Sequence, residues 1–156
     1  SMIVDALDGF DPARCVYVES ESKKIGSVQV PDALLAAMRA ADCVSVETPQ
    51  PLRVALLKDE YAHYLADPAA LGERLAHLTE VHGRKTIAHW ADAAAAGDWD
   101  LLVTELLAKH YDPTYARAIE RNFPRAAEAR RVATEGVGDA DFRALAARIL
   151  AEEEAA

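Results

Sequence analysis

Apolar residues recur along this chain in two rhythms, and the change from one to the other divides it. Near the start, Cys15-Val16-Tyr17-Val18-Glu19-Ser20 is echoed 28 positions later by Cys43-Val44-Ser45-Val46-Glu47-Thr48. A β-branched run that ends in a carboxylate and a hydroxyl predicts a buried strand delivering polar groups at its carboxyl end, and the separation suits one crossover helix of a right-handed βαβ unit. Parallel strands are therefore expected at 15–18 and 43–46. They would bring Glu19 and Glu47 to the same sheet edge, the one where ligands of open α/β sheets bind. Between them Pro31 takes the first position of a helix whose apolar face is Leu34, Leu35 and Met38, ending near Ala41. Residues 3–7 read as the end of a helix released by Asp8-Gly9 and Asp11-Pro12, and 19–27 as a polar loop.

After Pro49 and Pro51 the spacing becomes helical, and no further strand is expected. Helices are predicted over 52–65, 69–81, 86–95, 99–110 and 113–123, with Gly83 and Gly97 as stops. Beyond Pro124 a further helix, a break at Gly136-Val137-Gly138 and a final acidic helix over 139–154 complete the reading. The fold class that follows is a mostly helical α/β fragment, two short parallel strands followed by a helical array. Its divisions are 1–49 for the α/β segment, 50–124 for a helical subdomain and 125–156 for a helical tail.

Composition sharpens this picture. Hydrophobic residues make up 51% of the chain. Alanine supplies much of that share, and it favours helices while burying little area, so a thin core is expected. A formal net charge of −9 argues against indiscriminate nucleic-acid binding, which needs surplus cations facing phosphate, but leaves room for a local basic patch. The two cysteines each open an expected strand and read as small buried hydrophobes in a reducing compartment. No secretory leader is evident, and no apolar run approaches the roughly 20 residues that span a bilayer, so the sequence reads as cytoplasmic with no membrane partner. Ser1-Met2 ahead of Ile3 reads as an expression scar joined to an internal segment of a longer protein.

Three clusters carry candidate chemistry. In Glu19-Ser20-Glu21-Ser22-Lys23-Lys24, an extended backbone sends Glu19 and Glu21 to one side and Ser20 and Ser22 to the other, a set suited to a hydrated cation and a phosphate; the plain alternative is a solvated loop. Arg53, just past the second strand, can clamp a phosphate through both arms of its guanidinium, or serve as a surface arginine, or pair structurally with Glu47. In the segment from Lys109 to Arg125, Asp112-Pro113 reads as an N-cap and first turn. His110, Tyr111, Tyr115, Arg117 and Arg121 there combine rings and cations suited to unstacked bases and phosphates, or to packing where helices meet. The five histidines, at 63, 77, 82, 89 and 110, include no i, i+4 pair, so no metal site is expected. The chain has no Gly-x-x-x-x-Gly-Lys-Ser/Thr, Gly-x-Gly-x-x-Gly or Gly-x-Ser-x-Gly motif.

Val18-Glu19-Ser20-Glu21-Ser22-Lys23-Lys24-Ile25-Gly26, followed by Val30-Pro31, Leu34 and Met38, resembles the V-E-D-E-S-x-x-I-G then L-P segment of tRNA 2-selenouridine synthases. Glu47-Thr48-Pro49 with Arg53-Val54 and Tyr61 is similar to that family's next strand and helix. Gly97-Asp98-Trp99 with His110-Tyr111-Asp112-Pro113-Thr114-Tyr115 is similar to its late helical motif. The likeness runs from about Cys15 to Phe123, with Ser20 where aspartate is usual and Lys23 where arginine is common.

The resemblance implies a rhodanese-like domain with an essential cysteine followed by a P-loop domain, of which this chain would hold the later strands and following helices. The enzyme acts on the wobble uridine of tRNA, converting 2-thiouridine to 2-selenouridine through a geranylated intermediate, with geranyl diphosphate and selenophosphate as co-substrates. Neither Cys15 nor Cys43 matches the catalytic cysteine, and no catalytic residue is carried over. On this reading Glu19, Glu21, Ser22, Lys23 and Arg53 face the diphosphate, while His110, Tyr111, Tyr115, Arg117 and Arg121 approach tRNA or the donor. The fragment alone is expected to be inactive and to bind no cofactor. A helical protein-interaction module and a fragment of a P-loop-related kinase are the rival readings. With no phosphate-loop strand between them, the two strands are expected to pair directly, or between chains in a homodimer, or with residues near Ile3.

Overall fold

The computed structural model describes residues 2–20 and 23–154. Helix α1 (Met2–Asp8) precedes a small antiparallel hairpin, β1 (Lys24–Ile25) and β2 (Val28–Gln29), which turns at Gly26. Gly26 has φ +60°, a conformation that glycine adopts without the Cβ clash other residues meet. Helix α2 (Asp32–Ala40) starts after Pro31 and buries Leu35, as the apolar spacing predicts. Strand β3 (Val44–Glu47) follows.

The expected strand at 15–18 is not formed: Cys15–Ser20 takes no regular structure, and Val16, Tyr17 and Val18 are about half exposed. The partner of β3 is instead β4 (Arg130–Ala133), from a tail in which no strand was expected. The two run parallel, with Val44 opposite Arg130 and Glu47 opposite Ala133. The pairing extends at both ends, since Arg130 N–H donates to Cys43 O and Thr134 N–H to Glu47 O, both at 2.9 Å. The β4 sequence Arg-Arg-Val-Ala has weak strand composition and becomes a strand through its partner. Val132 is its one buried side chain, while Arg131 reaches Glu47 and Arg130 reaches Glu152. Just ahead of β4, Pro124–Glu128 form a 3-10 turn where a longer helix was expected.

Helices α3 (Gln50–Glu60), α4 (Ala62–Leu65), α5 (Pro68–Ala76), α6 (Thr79–Ala96), α7 (Trp99–Leu106) and α8 (Asp112–Asn122) form the array, and α9 (Asp139–Glu154) closes the chain. Local chemistry sets their ends. The Asp67 carboxylate accepts Ala70 N–H and that of Asp98 accepts Leu101 N–H, capping α5 and α7. Gly97 ends α6 in the left-handed conformation (φ 71°). The core lies here: Leu75, Trp90, Ala93, Ala94 and Leu102 are buried together, flanked by Leu71, Leu78, Ile87, Trp99 and Leu106. Two alanines among its five central residues make it thin.

Between α7 and α8 the chain stays helical, widening into a π turn over Leu107–Tyr111. Pro113 explains this. It has no N–H to give, and its ring would collide with the carbonyl four residues back in a regular α-helix. The wider turn, in which Asp112 N–H donates to Leu107 O, accommodates the ring. Asp112 therefore lies inside a continuous helix and caps nothing, contrary to the N-cap expectation, and its carboxylate is free for another partner.

Candidate functional site

The carboxyl end of β3 and the helix after it place the first group of candidates. Glu47 ends the strand, and its Oε1 accepts from Arg131 Nη1 at 2.8 Å. Pro49 and Pro51 stop the strand and start α3, whose second turn begins at Arg53. The guanidinium of Arg53 takes Asp112 with both arms, Nη1 to Oδ2 at 2.9 Å and Nη2 to Oδ1 at 2.5 Å. That hydrogen-bonded pairing raises the Arg53 pKa against the opposing effect of burial, so the charge is permanent. The structural pairing foreseen for Arg53 thus exists, with Asp112 in place of Glu47. The two residues are 59 positions apart, and no local pattern connects them.

The loop candidates are less gathered. Lys23 Nζ contacts Asp32 Oδ1 at 2.5 Å, and the lysine's hydrogen bond and charge hold that carboxyl below its ordinary value. Glu19 is exposed and, because 15–18 forms no strand, it does not share a sheet edge with Glu47. Glu21 and Ser22 lie outside the described residues.

The second group sits on the π turn and α8. His110 Nδ1 lies 3.0 Å from Nε2 of His82, one ring donating and the other accepting. Burial, helped by the neighbouring His82, lowers the His110 pKa, which favours the neutral ring. The His82 ring also tilts against Trp90, with centroids 5.1 Å apart, and the His110 ring meets Tyr111 edge-on at 5.0 Å. A line of rings thus runs from the core residue Trp90 to the surface residue Tyr111. Trp90 Nε1 donates to Glu105 Oε2 at 2.9 Å, and Lys109 meets the same oxygen at 2.7 Å. These contacts, led by Lys109, depress the Glu105 pKa.

Tyr115 is 61% exposed, and Arg117 and Arg121 are exposed with no ion pair among the described residues. Tyr115 lies four positions after Tyr111, and Arg121 four after Arg117, so each pair shares a side of the helix. The step from Tyr115 to Arg117 turns about 200°, which puts rings and cations on different sides. His82, Glu105 and Asp112 complete these clusters and were not singled out as site residues. Only Asp112 stood within a segment already of interest, and its ready explanation as a cap concealed its role.

A parallel strand pair with a helical array behind it, carrying an arginine just past a strand's carboxyl end, defines a mostly helical α/β fragment. Residues 2–71 match the family described as the tRNA 2-selenouridine synthase AAA domain. That span is a little under half of the chain's length, and an AAA domain accords with a sheet of P-loop type. No curated protein and no solved structure matches the chain. Among the described residues no helix is long and apolar enough to cross a membrane, and no group of three or more metal-ligating side chains comes together.

Proposed function

We propose that the chain is part of a cytoplasmic enzyme that converts 2-thiouridine to 2-selenouridine at the tRNA wobble position through a geranylated intermediate. The match of residues 2–71 to the AAA domain of tRNA 2-selenouridine synthase carries this reading. Geranyl transfer releases diphosphate, so the enzyme must hold a polyanion, and selenophosphate presents the same chemistry. Arg53, just beyond the carboxyl end of β3, is the residue best suited to that role. Glu19, Glu21, Ser22 and Lys23 would complete the site from the preceding loop. Tyr111 and Tyr115 offer rings to unpaired bases, while Arg117 and Arg121 offer charge to the tRNA backbone. The segment on its own lacks a Walker loop, whose amides and lysine supply most diphosphate contacts, and is inactive on this reading. The two-stranded sheet has open edges, with Val46 half exposed, and a homodimer formed through such strands is part of the proposal.

The test is made on the whole protein that contains this chain. Supplied with a thiolated tRNA, geranyl diphosphate and selenophosphate, it should yield 2-selenouridine on nucleoside mass analysis. Recovery of 2-thiouridine alone would contradict the proposal.

A further inference from the structure

Deepening the reading of Arg53 as an anion clamp, on which it rests, we propose that Asp112 is a built-in competitor for that guanidinium, displaced by a pyrophosphate-type anion that thereby releases helix α8. A carboxylate gripped by both arms of an arginine occupies the positions that two phosphate oxygens would take. The pair is reachable, with the two side chains 34% and 42% exposed. It also bridges two parts of the chain: Arg53 lies in the span matched to the AAA domain and Asp112 outside it.

The π turn is the second observation. Each residue advances an α-helix by about 100°, so the extra residue held in Leu107–Tyr111 rotates Asp112 by that much relative to an unbroken helix. The irregular turn thus sets the direction in which the carboxylate leaves the helix, and that direction meets Arg53. Helix α3 also packs on α7, so the array stays attached when the Arg53 contact opens, and the movement is confined to α8. That helix carries Tyr115, Arg117 and Arg121. Anion binding at the strand edge would therefore be coupled to the surface proposed for tRNA, and by linkage each would influence the other equally.

Inorganic pyrophosphate titrated calorimetrically into the whole protein that contains this chain tests the latch, since the segment alone lacks the Walker loop that supplies most diphosphate contacts. Asp112→Asn should bind it about tenfold more tightly than the unaltered chain, within the usual range of coupling between sites. Arg53→Ala should abolish the gain. Asp100→Asn is the control, because Asp100 forms another ion pair with α3, to Lys58 at 2.9 Å, and should change nothing. In the unaltered chain, saturating pyrophosphate should reduce hydrogen-exchange protection in α8, a readout that needs no variant. If Asp112→Asn binds no better than the unaltered chain or than Asp100→Asn, or if α8 protection is unchanged at saturation, the latch is wrong. Should Arg53→Ala still weaken binding in that case, the clamp survives without it. Absence of binding to every form, Asp112→Asn included, overturns both.

Discussion

Trp90→Phe tests the core on which the site rests. Trp90 is fully buried against Leu75, Ala93, Ala94 and Leu102, and its indole N–H is bonded to Glu105. The exchange removes part of the indole and leaves a void that two alanine neighbours cannot fill. Truncation of a buried tryptophan to alanine costs about 3–5 kcal/mol, and phenylalanine keeps more than half of the ring, so the packing loss is about 1–2 kcal/mol. A hydrogen bond to a charged acceptor contributes about 1.5–3 kcal/mol. Glu105 is 20% exposed and keeps Lys109, so water replaces much of that bond, leaving a loss of about 1 kcal/mol. The expected total is about 2–3 kcal/mol. At the scaling for a chain of this size it lowers Tm by roughly 4–12 °C. Urea unfolding followed by far-UV circular dichroism measures it, and Glu105→Gln in a double-mutant cycle isolates the polar part. A loss below about 0.5 kcal/mol would refute the assignment of Trp90 to the centre of the core.

Two further outcomes follow from local chemistry. The lowered pKa of His110 means that the folded state binds its proton less readily than the unfolded state, so stability is full above the ordinary value of 6.5 and is lost as pH falls toward the lowered one. The urea midpoint should drop through that window, and less so in His110→Gln; a separate loss from Glu105 begins only below 4.5. Equal slopes for both proteins would show that His110 does not carry the effect. Gly97→Ala, at φ 71° with no atom nearer to a new Cβ than Trp99 Nε1 at 4.0 Å, should cost about 1 kcal/mol through backbone conformation alone, read from the same unfolding curves.

Much of the fold was legible where local signals act alone. The Pro31 start and apolar face placed α2, the Cys43-Val-Ser-Val-Glu run placed β3, and Gly136-Val137-Gly138 placed the start of α9. What failed depended on partners. Cys15–Val18 has better strand composition than Arg130–Ala133, yet the latter forms the ladder, because a strand exists only where another backbone completes its hydrogen bonds. The hairpin at 24–29 was hidden in polar residues, its one clue being Gly26. Of the site, the positions of Arg53 and of the Tyr111 and Tyr115 pair followed from sequence, whereas Asp112 opposite Arg53 and His82 opposite His110 did not. Those pairs join residues 59 and 28 apart, brought together only by packing of the array.

The central claim, that the strand edge at Arg53 serves the reaction, is tested most directly by turnover per folded molecule in the whole protein carrying Arg53→Ala. Conversion of thiolated tRNA is measured beside thermal melting of the same preparation. The account predicts a loss of at least about tenfold in turnover, the scale of one charge-assisted contact to a phosphate, after correction for any change in the folded fraction. A lower Tm with unchanged turnover per folded molecule would contradict it and leave Arg53 as the structural partner of Asp112 alone.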